Sequence, residues 1–203
     1  MRTILPEFMG SMDHIKNNFY FSFLTINFLN QRPFSQDVIL PINMSNNSIS
    51  STSINTIGNG EIQEYGNSIR RHFLNDMVIA YERYSMIMFS SHSNHKTRTD
   101  PALINNRQLG APNFEQLPNV YSGQNVTFLV QLRRLRNSIV HYNGVYCKSS
   151  PLDYTFGNET YYSDGNEGKN ISIEFDTLLW TYSELLNVVQ AGNASYCNNY
   201  SIP

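Results

Sequence analysis

The feature that most constrains the fold of this chain is the stretch from Glu61 to about Ser91, in which apolar residues recur every three or four positions. The residues on this stripe are Ile62, Tyr65, Ile69, Phe73, Met77, Tyr81, Tyr84 and Met88. Because an α-helix turns once in about 3.6 residues, the spacing places them on one face and predicts a long amphipathic helix. The same spacing from Ile173 to Val189 predicts a final helix that ends at Gly192.

A third apolar-periodic stretch ends in turn residues. Its apolar positions are Val126, Leu129, Val130, Leu132, Leu135, Ile139 and Val140. The opposite side of this helix carries Arg136, Asn137 and His141. Asn137 and His141 share a face, whereas Arg136 and His141 lie about 140° apart, and the length of the arginine side chain lets it reach the same space. Asn143 and Gly144 then end the helix in a left-handed turn.

A guanidinium and an imidazole suit phosphate chemistry. Arginine offers a planar fork of donors to phosphate oxygens, and histidine, with a pKa near about 6.5, exchanges a proton near neutral pH. Metal-free RNA cleavage needs such a proton donor or acceptor and cations that offset the charge developing on phosphorus. Taken alone, the pair is also consistent with a solvated helix end whose charges complement the helix dipole.

The stretch from Arg136 to Gly144 reads Arg-Asn-Ser-Ile-Val-His-Tyr-Asn-Gly. It resembles the signature of the HEPN superfamily, in which Arg is followed by four to six residues and then His, often with Asn after the Arg and Gly shortly after the His. The resemblance implies an all-α protein that is a metal-independent endoribonuclease of toxin–antitoxin or antiviral-defence type. It further implies that Arg136 and His141 are catalytic, that Asn137 supports them, and that a homodimer forms one composite active site. A non-catalytic HEPN-like module for dimerisation or nucleotide binding is the alternative.

Binding of RNA would depend on a local basic patch, since the net charge is −2 and the pI is about 6.2. Arg133 and Arg134 add cations to the motif helix, and a solvated basic helix face is the alternative interpretation. Tyr142 offers an aromatic face on which an unpaired base can stack. These three residues are therefore predicted to bind the substrate.

Glu82 is a candidate supporting residue on the long predicted helix. It lies in the segment Ile-Ala-Tyr-Glu-Arg-Tyr, residues 79–84, which looks like an aromatic-Glu element of HEPN proteins. That resemblance implies that Glu82 orients Arg136 or His141 across the cleft. A solvated Glu and Arg pair beside a buried tyrosine stripe is the alternative.

The chain length suits one domain. Residues 1–11 resemble a vector-derived expression leader before a start at Met12, and residues 12–203 are predicted to form a single HEPN-like bundle of four to five helices with long polar loop inserts. The polar residues 43–60 are predicted to form a flexible loop, and residues 92–123 a long connection. A hairpin is expected around Thr160 to Ile173.

Other patterns indicate few further ligands. Cys147 and Cys197 are expected to be free thiols, and neither they nor His92 and His95 have the spacing of a zinc site, so no metal or cofactor is predicted. The segment Phe19–Leu29 is short and interrupted by polar residues, which favours a core segment over a membrane span or a signal peptide. The chain is therefore expected to be cytoplasmic. The HEPN resemblance implies RNA and an antitoxin or regulatory protein as partners. Asn-x-Ser/Thr sequons leave a secreted glycoprotein as a third interpretation.

Overall fold

The computed structural model describes residues 4–31, 39–40, 52–53, 59–96, 115, 117 and 119–200. Within these residues the chain is mostly helical, as predicted. The helices are α1 (Leu5–Gln31), α2 (Asn59–Lys96), α3 (Gly123–His141) and α4 (Phe175–Asn199). Two antiparallel strand pairs accompany them: β1 (Ile39–Leu40) with β2 (Thr52–Ser53), and β3 (Asp153–Phe156) with β4 (Glu159–Tyr162). The motif helix α3 is the third described helix.

Helix α2 forms the centre of the bundle and confirms the long helix predicted from its apolar stripe. Most of the stripe is buried, although Tyr65 is exposed. The ring of Phe73 stacks on Phe19 of α1 at 4.1 Å between centroids, and Phe19 in turn stacks on Phe175 of α4 at 5.3 Å. One aromatic cluster therefore joins three helices, and stacked aromatic pairs add stability beyond the area that they bury.

Helix α1 begins inside the segment that was set aside as a leader. Residues from Leu5 onward are helical, and Phe8 is buried with its ring 5.2 Å from that of Tyr84 on α2. The exclusion of residues 1–11 from the fold was therefore wrong, because Phe8 of this segment packs in the core. The origin of the segment as a vector-derived leader stays a prediction. Among the described residues, no helix has a stretch long and apolar enough to cross a bilayer.

The strand pair after α3 lies earlier in the chain than predicted. The hairpin was expected around Thr160 to Ile173, but the two strands flank Gly157, which has a φ of +60°. A Cβ atom on Gly157 would lie 3.3 Å from Trp180 Cβ, and the Phe156 ring meets the Trp180 ring edge-on. The turn forms here because a positive φ and a close approach to α4 both favour glycine. Trp180 accordingly packs against the hairpin.

Helix α4 continues to Asn199 and does not end at Gly192. Gly192 is buried, and a Cβ atom on it would lie 2.1 Å from Cε1 of Tyr121. The glycine therefore allows close packing inside the helix, and the prediction that it ends the helix was wrong. Glycine at a helix end and glycine at a packing contact look alike in sequence.

Several predictions fall largely outside the described residues. Of residues 43–60, only Thr52–Ser53 and the first two residues of α2 are described, and of residues 97–118 only Glu115 and Leu117. The side chains of His92 and His95 also lie outside the described part. Among the described residues, no group of three potential metal ligands is found. Cys147 and Cys197 are both free thiols, as was predicted for them.

Candidate active site

The motif lies at the C-terminal end of α3. The helix ends at His141, and the left-handed turn predicted after it is confirmed by φ values of +54° at Asn143 and +75° at Gly144. The Gly144 N–H donates to the Ser138 carbonyl at 3.0 Å, and the Gly144 carbonyl accepts from the Ile171 N–H at 2.7 Å. The turn is therefore fixed on both sides, and His141 is exposed where the helix stops.

The buried face of α3 is close to the predicted one. Its buried residues are Phe128, Leu129, Gln131, Leu132, Leu135, Ser138 and Ile139. Val140, which was predicted to belong to this face, is 47% exposed. It follows Ile139 by about 100° around the helix, so the two side chains cannot both point into the core. Buried Ser138 donates to the Arg134 carbonyl at 3.0 Å, which satisfies its hydroxyl.

Arg136 is held by Glu82 of α2. Its Nη2 donates to Glu82 Oε1 at 2.6 Å, and both side chains are largely buried. The contact agrees with the interpretation that Glu82 orients Arg136. The Arg136 Nε–H is buried without a hydrogen-bond partner among the described residues. An unsatisfied buried donor costs about 1–3 kcal/mol, so the guanidinium is incompletely satisfied in this arrangement.

Glu115 is a site residue that the sequence did not reveal. Its side chain is only 5% exposed and lies between α2 and α3, where it accepts from Tyr81 Oη at 2.5 Å and forms an ion pair with Arg133. Burial raises the pKa of Glu115, and the charge of Arg133 acts against that rise. Burial also raises the pKa of Tyr81 well above its usual range. Glu115 follows a segment without periodicity, so no local pattern distinguished it.

Arg134 and Tyr142 contact the segment that follows α3. Arg134 Nη1 donates to the Pro151 carbonyl at 3.1 Å, and the Tyr142 hydroxyl lies 2.7 Å from Ser149 Oγ. Ser149 Oγ also lies 3.0 Å from Cys147 Sγ, and this hydrogen bond lowers the pKa of the Cys147 thiol. The two predicted substrate-binding side chains thus make intramolecular contacts that hold this segment against the helix.

The structure does not bring the Arg136 and His141 side chains into contact within one chain. Arg136 points toward α2, whereas His141 is exposed and forms no hydrogen bond or ion pair with any described residue. Asn137 is half-buried and likewise lacks a partner in the described part of the chain. Five residues separate the arginine from the histidine by about 7.5 Å along the helix axis as well as by angle. A site that uses both groups therefore needs a ligand or a second chain to bridge them.

No protein-family model, curated protein or solved structure matches this chain. The HEPN resemblance consequently depends on the motif from Arg136 to Gly144, on Glu82 and on the helical architecture.

Proposed function

We propose that this protein is a metal-independent endoribonuclease of the HEPN type, acting on single-stranded or loop RNA. The observation that carries the proposal is that the last two turns of α3 carry both a solvent-exposed His141 and an Arg136 whose guanidinium contacts Glu82. An exposed imidazole without a partner among the described residues is available for proton transfer, and an oriented guanidinium loses little freedom when it binds phosphate.

In the proposed reaction the ribose 2'-oxygen attacks the adjacent phosphorus and the bond from phosphorus to the 5'-oxygen breaks. His141 takes the 2'-hydroxyl proton or supplies a proton to the leaving 5'-oxygen. The products are a 2',3'-cyclic phosphate and a 5'-hydroxyl, so no water is consumed in this step. Asn137 would hold the ligand or the His141 ring, and Tyr142 would stack on a base.

Arg136 would stabilise the negative charge that develops on the phosphorane. A guanidinium has five N–H donors, and Glu82 accepts from only one of its terminal nitrogens. The Nε–H also lacks a partner among the described residues. A phosphate that drew the guanidinium outward would satisfy this donor, which favours binding of an anion.

The proposal includes a homodimer with a composite site. The Glu82–Arg136 pair is bordered by exposed apolar side chains: Ile79 (49% exposed) and Met86 (62%) lie one turn on either side of Glu82, and Val140 lies one turn beyond Arg136. Exposed apolar patches often mark protein contacts. A second copy covering this patch would bring its own His141 toward the first Arg136.

The decisive test is cleavage of a labelled single-stranded RNA in the presence of EDTA. Wild-type protein should produce 2',3'-cyclic phosphate ends, and His141→Ala and Arg136→Ala should each lower the rate by at least about 100-fold. His14→Ala is the matched control, since His14 is exposed on α1, away from the motif, and this variant should cut at the wild-type rate.

Light scattering on the same proteins tests the dimer. Met86→Lys should convert the dimer to a monomer and abolish cleavage, whereas Phe21→Lys, at an exposed apolar position on α1, should change neither property. Cleavage that depends on a divalent metal, or full activity of a strict monomer, would contradict the proposed mechanism.

A toxin or antiviral-defence role belongs to the same proposal, with cellular RNA as the target and an antitoxin or regulatory protein as partner. Expression of the wild type should slow cell growth more than expression of His141→Ala. Equal growth would favour the second candidate.

The second candidate is a non-catalytic HEPN-like module for dimerisation or nucleotide binding. The ion pairs favour it, because Glu82 and Glu115 each neutralise an arginine of the motif helix. Such a module would still form the dimer, yet wild type and His141→Ala would both leave RNA intact.

A further inference from the structure

A guanidinium outside the motif lies directly against the motif turn. Arg71 of α2 packs over Gly144: a Cβ atom on Gly144 would lie 3.1 Å from Arg71 Nη2 and 3.4 Å from Cζ. Arg71 is half-buried and forms no hydrogen bond or ion pair with any residue that the structure describes. Nothing in the sequence near residue 71 relates it to the motif.

The arginines of the motif helix differ from Arg71 in this respect. Arg133 pairs with Glu115, Arg136 pairs with Glu82, and Arg134 donates to a backbone carbonyl. Each therefore has an acceptor within the protein. Among the described residues, no acceptor pairs with the Arg71 guanidinium at the motif turn, so all of its N–H donors can bind a ligand.

Antiparallel packing of α2 and α3 explains how Arg71 reaches the turn. Glu82 contacts Arg136 five residues before the end of α3, and Arg71 lies eleven residues earlier than Glu82 on α2, about 16 Å along its axis. This distance brings Arg71 past the end of α3 to Gly144. Since Gly144 has no side chain, the guanidinium can lie flat against the backbone of the turn beyond His141.

We propose that Arg71 binds a backbone phosphate of single-stranded RNA next to His141. The inference rests on the proposed RNA substrate and adds a positioning residue to it. A planar guanidinium on a fixed turn forms paired hydrogen bonds to two phosphate oxygens. Such a contact would fix the register of the strand and thereby present one ribose 2'-hydroxyl to His141.

The test measures binding separately from cleavage. The probe is a short fluorescein-labelled oligouridine with 2'-O-methyl riboses, which has no 2'-hydroxyl nucleophile, and its Kd is measured by anisotropy between about 50 and 200 mM KCl. Arg71→Met keeps an apolar stem against Gly144 and removes the charge. It should raise the Kd about tenfold, the loss expected for one charge-assisted contact. It should also reduce the slope of log K against log salt by about 0.7.

Arg83→Met is the matched control. Arg83 is exposed on the same helix, about 18 Å further along the axis, and should leave both the Kd and the salt slope unchanged. If Arg71→Met does not fold, Arg71→Lys replaces it. Lysine keeps the charge but lacks the planar fork, so the Kd should rise about threefold with an unchanged salt slope.

Equal affinity of wild type, Arg71→Met and Arg83→Met would overturn the inference, and so would a wild type that does not bind the probe. A wild type that binds the probe but leaves the 2'-hydroxyl form intact, with the Arg71 effect present, would refute the nuclease proposal while supporting the phosphate contact.

Discussion

The contact between Gly192 and Tyr121 gives a stability prediction that depends on packing alone. A Cβ atom on Gly192 would lie 2.1, 2.5 and 2.9 Å from three carbons of the Tyr121 ring. Carbon atoms in contact are normally about 3.5–4.0 Å apart, so the Gly192→Ala methyl group fits only if the ring or α4 moves. The Tyr121 hydroxyl is buried, and burial raises its pKa well above the usual range. Moving the ring away would therefore displace the atoms packed around its hydroxyl.

The size of the stability change caused by Gly192→Ala follows from two opposing effects. Alanine is favoured over glycine in a helix interior by about 1 kcal/mol, and an extra methyl group in a packed site costs about 1–3 kcal/mol. Because the overlap exceeds 1 Å and involves a ring, the packing cost should be near the upper limit. We expect Gly192→Ala to lower the free energy of unfolding by about 1–2 kcal/mol, with a fall in Tm of about 2–8 °C.

Urea unfolding followed by circular dichroism tests this result, with Gly66→Ala as the matched control. Gly66 is also inside a helix, but the nearest atom to its added Cβ, Ile26 Cδ1, is at an ordinary contact distance of 3.6 Å. Gly66→Ala should therefore stabilise the protein by about 0.5–1 kcal/mol. The double variant Gly192→Ala/Tyr121→Ala should be more stable than the two single effects predict, since the clash is absent. If Gly192→Ala stabilises the protein as Gly66→Ala does, the packing argument is refuted.

Glu115, Ser122 and the pair of Glu82 with Arg136 give further stability predictions, each measured by urea unfolding. Because the pKa of Glu115 is raised, its contribution is present below the unfolded-state pKa near 4.5 and is lost as the pH rises through the folded-state pKa. The stability of Glu115→Gln relative to wild type should therefore increase as the pH rises from about 4 to about 7. A stability difference that does not change with pH would contradict the raised pKa of Glu115. Ser122→Ala should cost about 1 kcal/mol, because Ser122 Oγ accepts the Asn125 N–H at the start of α3, and an unchanged urea midpoint would exclude this cap. Glu82→Ala should lower the free energy of unfolding by about 1–3 kcal/mol. Combining Glu82→Arg with Arg136→Glu should recover part of that loss, but this double variant should not cleave RNA. Recovery of cleavage would show that Arg136 has no direct role.

The sequence predicted α2, the motif helix α3 with its end, and the body of α4, because these depend on near neighbours. The stripe from Ile62 to Met88 repeats at the period of the helix itself, so it indicated α2 without knowledge of any partner. Asn143 and Gly144 tolerate a positive φ, and this local preference placed the turn correctly after His141. The same reasoning fails where one residue type has two uses: Gly192 was misread because a glycine can end a helix or make room for a ring.

Only the tertiary structure decided which charged groups meet. Tyr81 and Glu115 are 34 residues apart, Glu82 and Arg136 are 54 apart, and the contact of Arg71 with Gly144 spans still more chain. The Glu82 contact was anticipated only through a family resemblance. Glu115 follows a segment without periodicity, and Arg71 lies on α2, whose apolar stripe gives the direction of a side chain but not its partner. Helical periodicity fixes the direction of a side chain relative to its own helix, whereas its partner depends on how α2 and α3 pack against each other. The sequence therefore determined most of the helices and the motif, whereas the packing of two antiparallel helices determined which arginines are neutralised and left Arg71 without a hydrogen-bond or ion-pair partner among the described residues.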